Sequence, residues 1–275
     1  MLSTLTIKAM TLYGEVNEVE QLTPQLVRVV LGGEGLADFT PTEFTDQYVN
    51  AMFVPDGAPY SVPFDVDAAR ALDAEFQPKG RRYTIRAWSP ETRQVTLDFV
   101  VHGDVGFAGR WAGNAGPGDL LQMAGPSGGY APDPDAAWHL MVGDESAIPA
   151  IAASLEQVPA GRRVHAVLVV EDADGRIDLT CPGDLDVAWV QRADGGVGPD
   201  PVVAAVAALD FPPGTPQVFV HGEAHEVRAV RKHLFGERGL TKDGTSISPY
   251  WRRGDTDEAW RKVKRQWTID AEGDV

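Results

Sequence analysis

The sequence predicts a β-barrel plus α/β fold: an antiparallel six-stranded barrel, then a parallel sheet with helices, and last a C-terminal helix. Three observations lead there. Six short runs rich in Val, Thr, Leu and aromatics fill the first half, separated by Gly, Pro and Asp, the punctuation of a small antiparallel barrel. In the second half strand-like and helix-like runs alternate, which implies parallel strands joined by crossover helices. Between the halves stands Ala131-Pro132-Asp133-Pro134-Asp135, a stiff polar linker. The expected domains are 1–131 and 136–275, and a length of 275 residues accommodates both.

The elements follow in order. Barrel strands are expected at 5–13, 25–31, 47–54, 82–88, 94–101 and 119–124, each a short β-branched or aromatic run ended by a turn former. One helix interrupts them at 107–114, after a glycine-rich exit from the fifth strand. Beyond the linker come a strand at 138–142, a helix at 148–157, strands at 163–170 and 187–191, a helix at 202–209, a strand at 217–221 and a helix at 226–235. A last helix is expected at 256–267. Asp255 can cap its first turn while Glu258 reaches back, as in a capping box. Arg261, Lys264 and Arg265 would then share one face, and Trp260, Val263 and Trp267 another that packs on the body.

Composition excludes several classes. No run of about 18 apolar residues exists, so no transmembrane helix or membrane insertion is expected. The first residues lack a basic stretch followed by a long apolar core, so they do not read as a signal peptide, and a cytoplasmic location is expected. Cys181 is the only cysteine, which rules out an internal disulfide and a thiolate metal cluster within one chain. A net charge of −16 argues against nucleic-acid partners. That charge is unevenly spread. From Arg228 to Arg265 there are eleven Lys or Arg against five Asp or Glu, a net of +6 that leaves −22 elsewhere. A basic end on an acidic protein draws an anion to one place.

Four segments carry chemistry. The first is Arg81-Arg82-Tyr83-Thr84, between Lys79-Gly80 and Ser89-Pro90. Strand alternation puts Arg81 and Tyr83 on one face and Thr84 on the other. A flavin dinucleotide needs a flat aromatic over its ring, a hydroxyl at the ring edge and a cation at the pyrophosphate; Tyr83, Thr84 and Arg81 match these in turn. Alone, the tetrapeptide also reads as a strand with an exposed arginine. The second segment is His102-Gly103-Asp104-Val105-Gly106-Phe107-Ala108-Gly109-Arg110-Trp111. Its glycines let backbone approach a ligand, and the helix that follows aims free N–H groups at a pyrophosphate.

The third segment pairs Gly143-Asp144-Glu145-Ser146 with Gly222-Glu223-Ala224. Each follows a strand and opens a helix, where nucleotides sit in parallel sheets. Ser146 is no hydrolase nucleophile, because Gly-x-Ser-x-Gly is absent. His221, His225 and Glu226 lack the second histidine of a zincin motif, so no metal site is assigned. The fourth segment is Tyr250-Trp251-Arg252-Arg253-Gly254, two aromatics beside two guanidiniums.

Together these segments resemble the siderophore-interacting proteins, the flavin-dependent ferric-siderophore reductases, over about residues 22–267. Arg81-x-Tyr83-Thr84-x-Arg86 is similar to the family's FAD strand. His102-Gly103-x-x-Gly106-x-Ala108-x-x-Trp111-Ala112 is similar to its flavin loop, and Gly143-Asp144-Glu145, Gly222-Glu223-Ala224 and Tyr250-Trp251-Arg252-Arg253-Gly254 to its later signatures. The resemblance implies an FAD-binding barrel and a nicotinamide-dinucleotide-binding domain. Electrons would pass from NADH or NADPH through FAD to a ferric siderophore, releasing Fe(II). Some relatives take electrons from ferredoxin instead. Tyr83, Thr84, Arg81, His102, Gly106, Ala108, Gly109 and Trp111 would hold FAD. Gly143, Asp144, Glu145, Gly222, Glu223 and Ala224 would line the dinucleotide crevice. Arg252, Arg253 and Lys262 would meet the anionic substrate, and no side chain is assigned a catalytic role.

The chain departs from the family pattern at Phe107-Ala108-Gly109, where Pro-Ala-Ser is frequent; at Asn50, where a substrate-binding Lys is frequent; and at Pro249, which replaces a common Gly. Glu171-Asp172, ending a strand, leans the donor toward NADH, because acids repel a 2′-phosphate. Two other functions fit the same residues. One is a reductase component serving a partner oxygenase, and the other is a flavin- or siderophore-binding protein without turnover.

Overall fold

The structure is a computed structural model that describes residues 11–101, 106–195 and 198–274. It divides into two compact units: one holds residues up to Gln21 and Val27–Gly129, the other Leu22–Leu26 and Tyr130 onward.

The first unit is a closed barrel of strands β1 (Thr11–Thr23), β2 (Leu26–Gly32), β3 (Tyr48–Phe53), β4 (Lys79–Ser89), β5 (Gln94–Val100) and β6 (Leu120–Ser127), in the order β1-β2-β5-β4-β3-β6. Period-two alternation builds it. Val27, Val29 and Leu31 of β2 and Val95, Leu97 and Phe99 of β5 point inward and are buried. Outside, Arg28 forks onto Asp98 with two 2.8 Å hydrogen bonds, tying β2 to β5. The short helix α1 (Val66–Arg70) was not expected. Asp65 caps it, accepting from Asp67 and Ala68. Helix α2 (Phe107–Asn114) has the predicted bounds. The first strand differs from expectation: it runs on to Thr23, through Glu15, Glu18 and Glu20, and its predicted start at 5–10 lies outside the described residues.

The second unit is a five-stranded all-parallel sheet, order β11-β10-β7-β8-β9, from β7 (Trp138–Asp144), β8 (Arg163–Val170), β9 (Asp184–Gln191), β10 (Pro216–Glu223) and β11 (Thr245–Trp251). Helix α3 (Ile148–Leu155) covers one face through Ile148, Ile151 and Leu155. After the one-turn α4 (Arg192–Gly195), helices α5 (Asp200–Ala207) and α6 (Ala224–Lys232) cover the other through Val202, Val206, Val227 and Val230. A π-helical turn, His233–Glu237, extends α6.

Helix α7 (Asp257–Glu272) is five residues longer than expected at its C-terminal end. Its cap is Thr256, whose hydroxyl accepts from Ala259 N at 3.2 Å. Asp255, the expected cap, is drawn instead into a pair with Arg252 at 2.6 Å. Trp260 is buried as expected, but Val263 is exposed, so the apolar stripe is narrower than the sequence suggested. Among the described residues, no helix is long and apolar enough to cross a membrane.

Candidate functional site

In the barrel, Arg81 pairs across to Ala51, Tyr83 to Val49 and Thr84 to Tyr48. The Tyr83 ring is half-buried; its centroid lies 4.2 Å from that of Phe99 and 6.5 Å from that of Phe53. Trp111 of α2 completes the aromatic group, 5.6 Å from Phe99 and 5.8 Å from Phe53. Two of the expected flavin residues, Tyr83 and Trp111, are thus gathered around two core phenylalanines. Thr84 is buried, and Arg81 is half-buried with one guanidinium nitrogen donating to Gly80 O at 2.9 Å.

Gly106 caps α2 with φ 82°, a conformation side-chain-bearing residues avoid, and among the described residues no side chain caps the first turn. Ala108 turns its methyl into the barrel core, so it can serve a ligand only through its backbone. A side chain at Gly109 would press on Val100 O at 3.4 Å. His102 lies outside the described residues.

In the second unit the ends of β7, β9 and β10 converge on a charged cluster. Asp144 is 1 % exposed. Its Oδ1 accepts from Ser146 N and Oγ, and its Oδ2 accepts from Trp251 Nε1 at 2.7 Å. Gly222, at φ 137°, exists for this carboxylate: a Cβ there would stand 2.8 Å from Asp144 Cγ. Gly143 is equally confined, since a Cβ would meet Ala147 at 2.6 Å and His221 O at 2.9 Å.

Arg192, at the end of β9, donates through Nη1 to both oxygens of Glu145 at 2.8 Å. Its Nη2 is 3.9 Å from Asp144 and its Nε 3.9 Å from Glu226, and neither nitrogen has a hydrogen-bond partner among the described residues. Burial raises the Glu145 carboxyl pKa, opposed by Arg192. Burial, and then Asp144 nearby, pushes Glu226 up to about 8. His221, buried between Phe219 and Tyr250, is pushed down to about 3 by burial and by Lys264, and is neutral.

Glu223 behaves oppositely. Burial works against its charge, but hydrogen bonds from Arg253 N, Glu226 N and His225 outweigh it and hold the pKa below the usual carboxylate range. Glu223 therefore caps α6 itself. The α6 N-terminus, expected to face a dinucleotide, already holds the chain's own anion. Ala224 is fully buried behind it. Asp144, His221, Glu223 and Glu226 line a small cleft floored by valines.

Of the three expected substrate cations, Arg252 is committed to Asp255 and lies over the Trp260 ring. Arg253 is 39 % exposed, over the Trp251 ring, with Nη2 3.8 Å from Glu226. Lys262 is exposed on α7. Sequence reasoning missed Arg192 and took Glu226 only as a rejected metal ligand. Trp251, one of the two aromatics of the fourth segment, gives its N–H to Asp144. Among the described residues, no group of three or more His, Cys, Asp or Glu is arranged to hold a metal ion.

Comparison with known proteins covers both units. Residues 15–130 match the model of the siderophore-interacting FAD-binding domain, and residues 136–254 that of the siderophore-interacting protein. An uncharacterised protein of Mycobacterium tuberculosis is 41 % identical over 92 % of this chain and 94 % of its own length. A Vibrio cholerae protein named ferric vibriobactin reductase is 33 % identical over 93 % of this chain and 99 % of its own. An Escherichia coli protein named NADPH-dependent ferric-chelate reductase is 30 % identical over 85 % and 89 %. The crystal structure of a siderophore-interacting protein from Aeromonas hydrophila superposes with a TM-score of 0.80 at 28 % identity, over 95 % of this chain and 99 % of that one.

Proposed function

The chain belongs to the siderophore-interacting protein family, and from that we propose that it is an FAD-dependent ferric-siderophore reductase using NADH or NADPH. The observation that carries the reading is the barrel strand that bears Arg81, Tyr83 and Thr84, with the Tyr83 ring and Trp111 of α2 both packed on Phe99, in a chain matched to the family across both units. The donor set suits a flavin dinucleotide: a half-exposed tyrosine ring held by Phe99, a guanidinium two residues earlier, and first-turn N–H groups that no side chain among the described residues caps.

FAD, when bound, would supply the conversion of a two-electron hydride donor into one-electron steps. Tyr83 would hold the plane of the ring, Thr84 its edge, and Arg81 with the backbone of Ala108 and Gly109 its phosphates. Asp144 and Glu145, fixed by Trp251 and Arg192, shape the dinucleotide crevice. Arg253 and Lys262 draw the anionic chelate in. Iron leaves because Fe(II), softer and less charged than Fe(III), binds hard oxygen ligands weakly.

The test is anaerobic. NADH or NADPH bleaches the flavin band of FAD-loaded protein, and a ferric siderophore restores it. Restoration only by a protein partner would mark a reductase component, and no bleaching with any donor a binding protein. Ferredoxin is the alternative donor for the same assay. The exposed Glu171 at the end of β8 favours NADH; bleaching by NADPH at equal or lower concentration would reverse that preference.

The two exposed cations make a further prediction. Arg253→Glu with Lys262→Glu raises the KM for a ferric siderophore at least tenfold at low salt, and the gap narrows as salt screens it. An unchanged KM at low salt would remove both residues from substrate capture.

A further inference from the structure

Glu226 lies in the first turn of α6 with its side chain 8 % exposed, and two guanidiniums stand near it. Arg192 Nε is 3.9 Å from Oε1, and Arg253 Nη2 is 3.8 Å from the same oxygen. Both distances allow ion pairing and are too long for a direct hydrogen bond. The two arginines are not equivalent. Arg192 is already forked onto Glu145 and is buried. Arg253 has its backbone pinned to Glu223 by a 3.0 Å bond, while its guanidinium reaches solvent. Glu226 therefore has one cation left to compete for, and it is the one assigned to the substrate.

We propose that Glu226 is a positioning residue acting through Arg253: as a neutral acid it leaves the guanidinium to an anionic ferric chelate, and as a carboxylate it competes with the chelate for it. The inference rests on the reading of Arg253 as a chelate contact.

The charged neighbours are few. Asp144 from β7 and Glu223 from β10 oppose ionisation of Glu226, while Arg192 and Arg253 favour it. Glu145 acts behind Arg192, and His225 is bonded to Glu223. His221, with Lys264 beside it, lines the same cleft and is uncharged. Burial and Asp144 win, and Glu226 keeps its proton up to about pH 8. An anion arriving at Arg253 adds negative charge and holds that proton more firmly. Chelate binding is therefore coupled to proton uptake above the free-state pKa, and affinity falls as pH rises through it.

The experiment titrates FAD-loaded full-length protein with a hexadentate tris-catecholate ferric chelate whose charge is constant over the range used. Trp fluorescence quenching reads the Kd from about pH 6 to about pH 9.5. The wild type gives a flat Kd that rises above about pH 8, approaching tenfold per pH unit for one coupled proton. Glu226→Gln keeps the low-pH Kd throughout, Glu226→Asp retains a slope, and Arg253→Gln binds weakly at every pH without one. If Arg253→Gln binds like the wild type, the chelate contact is wrong and the inference falls with it. If Arg253→Gln is weak but Glu226→Gln keeps the wild-type slope, or the wild type shows none, only the inference falls. A Glu226→Gln Kd displaced from the wild type by the same factor at all pH values would also overturn it, as the mark of a purely structural residue.

Discussion

Arg192→Ala lowers the unfolding free energy of the parallel-sheet unit by about 3–5 kcal/mol, the usual cost of stranding a buried charge. The guanidinium satisfies both oxygens of Glu145 and stands 3.9 Å from Asp144 and from Glu226. Without it three acidic side chains share one dry corner. The intact cluster need not be a large net source of stability, because desolvation offsets much of the attraction. The asymmetry lies in removing one partner. Arg192→Met with Glu145→Gln should therefore recover most of what Arg192→Ala loses.

The pH dependence has a definite sign. In the alanine variant the folded Glu145 pKa lies still further above its unfolded value. The penalty is full well above the ordinary carboxylate pKa and fades as pH falls toward it, because the stranded acid can then stay protonated. Urea denaturation at neutral pH and near pH 5 measures both effects. A loss under about 1 kcal/mol, or one that grows on acidification, would mean that Arg192 does not hold the cluster.

Tyr83→Ala weakens FAD binding by about tenfold to a hundredfold, the equivalent of one planar ring stacked on an aromatic side chain. The residue also packs on Phe99, so some thermal stability goes with it. Tyr83→Phe separates the two, since it keeps the ring and should hold FAD within about threefold of the wild type. Fluorescence titration of apoprotein with FAD gives both constants. Wild-type affinity in the alanine variant would move the flavin away from this strand.

Much of the architecture is legible in the sequence because the inward positions of β2 and β5 alternate cleanly. β1 is harder to read. Its inward positions include Gly14, where a Cβ would collide with Leu31 at 2.8 Å, and acids surround them. β11 gave no bounds because Thr-Ser-Ile-Ser-Pro has no apolar period; its neighbour β10 makes it a strand. The residues proposed for the flavin are legible because they fall in two short segments, 81–84 and 102–111. The acid–arginine cluster is not, because Arg192 lies 47 positions from Glu145 and no local spacing joins them. Glu223 and Asp255 show a different limit. Their position near a helix start was read correctly, but what each carboxylate bonds depends on Arg253 and Arg252, which only the folded chain places.

Strand β11 also borders the open sheet. A border strand exposes unpaired peptide groups that can recruit a strand from another molecule. Pro249 has no N–H to offer at the middle of that border. The opposite border, β9, carries exposed Asp184 and Asp186, whose like charges repel a second copy laid alongside. The barrel, being closed, has no border at all. Among the described strands, each place where a sheet could grow is blunted, and the protein should stay free of fibrous self-assembly at high concentration.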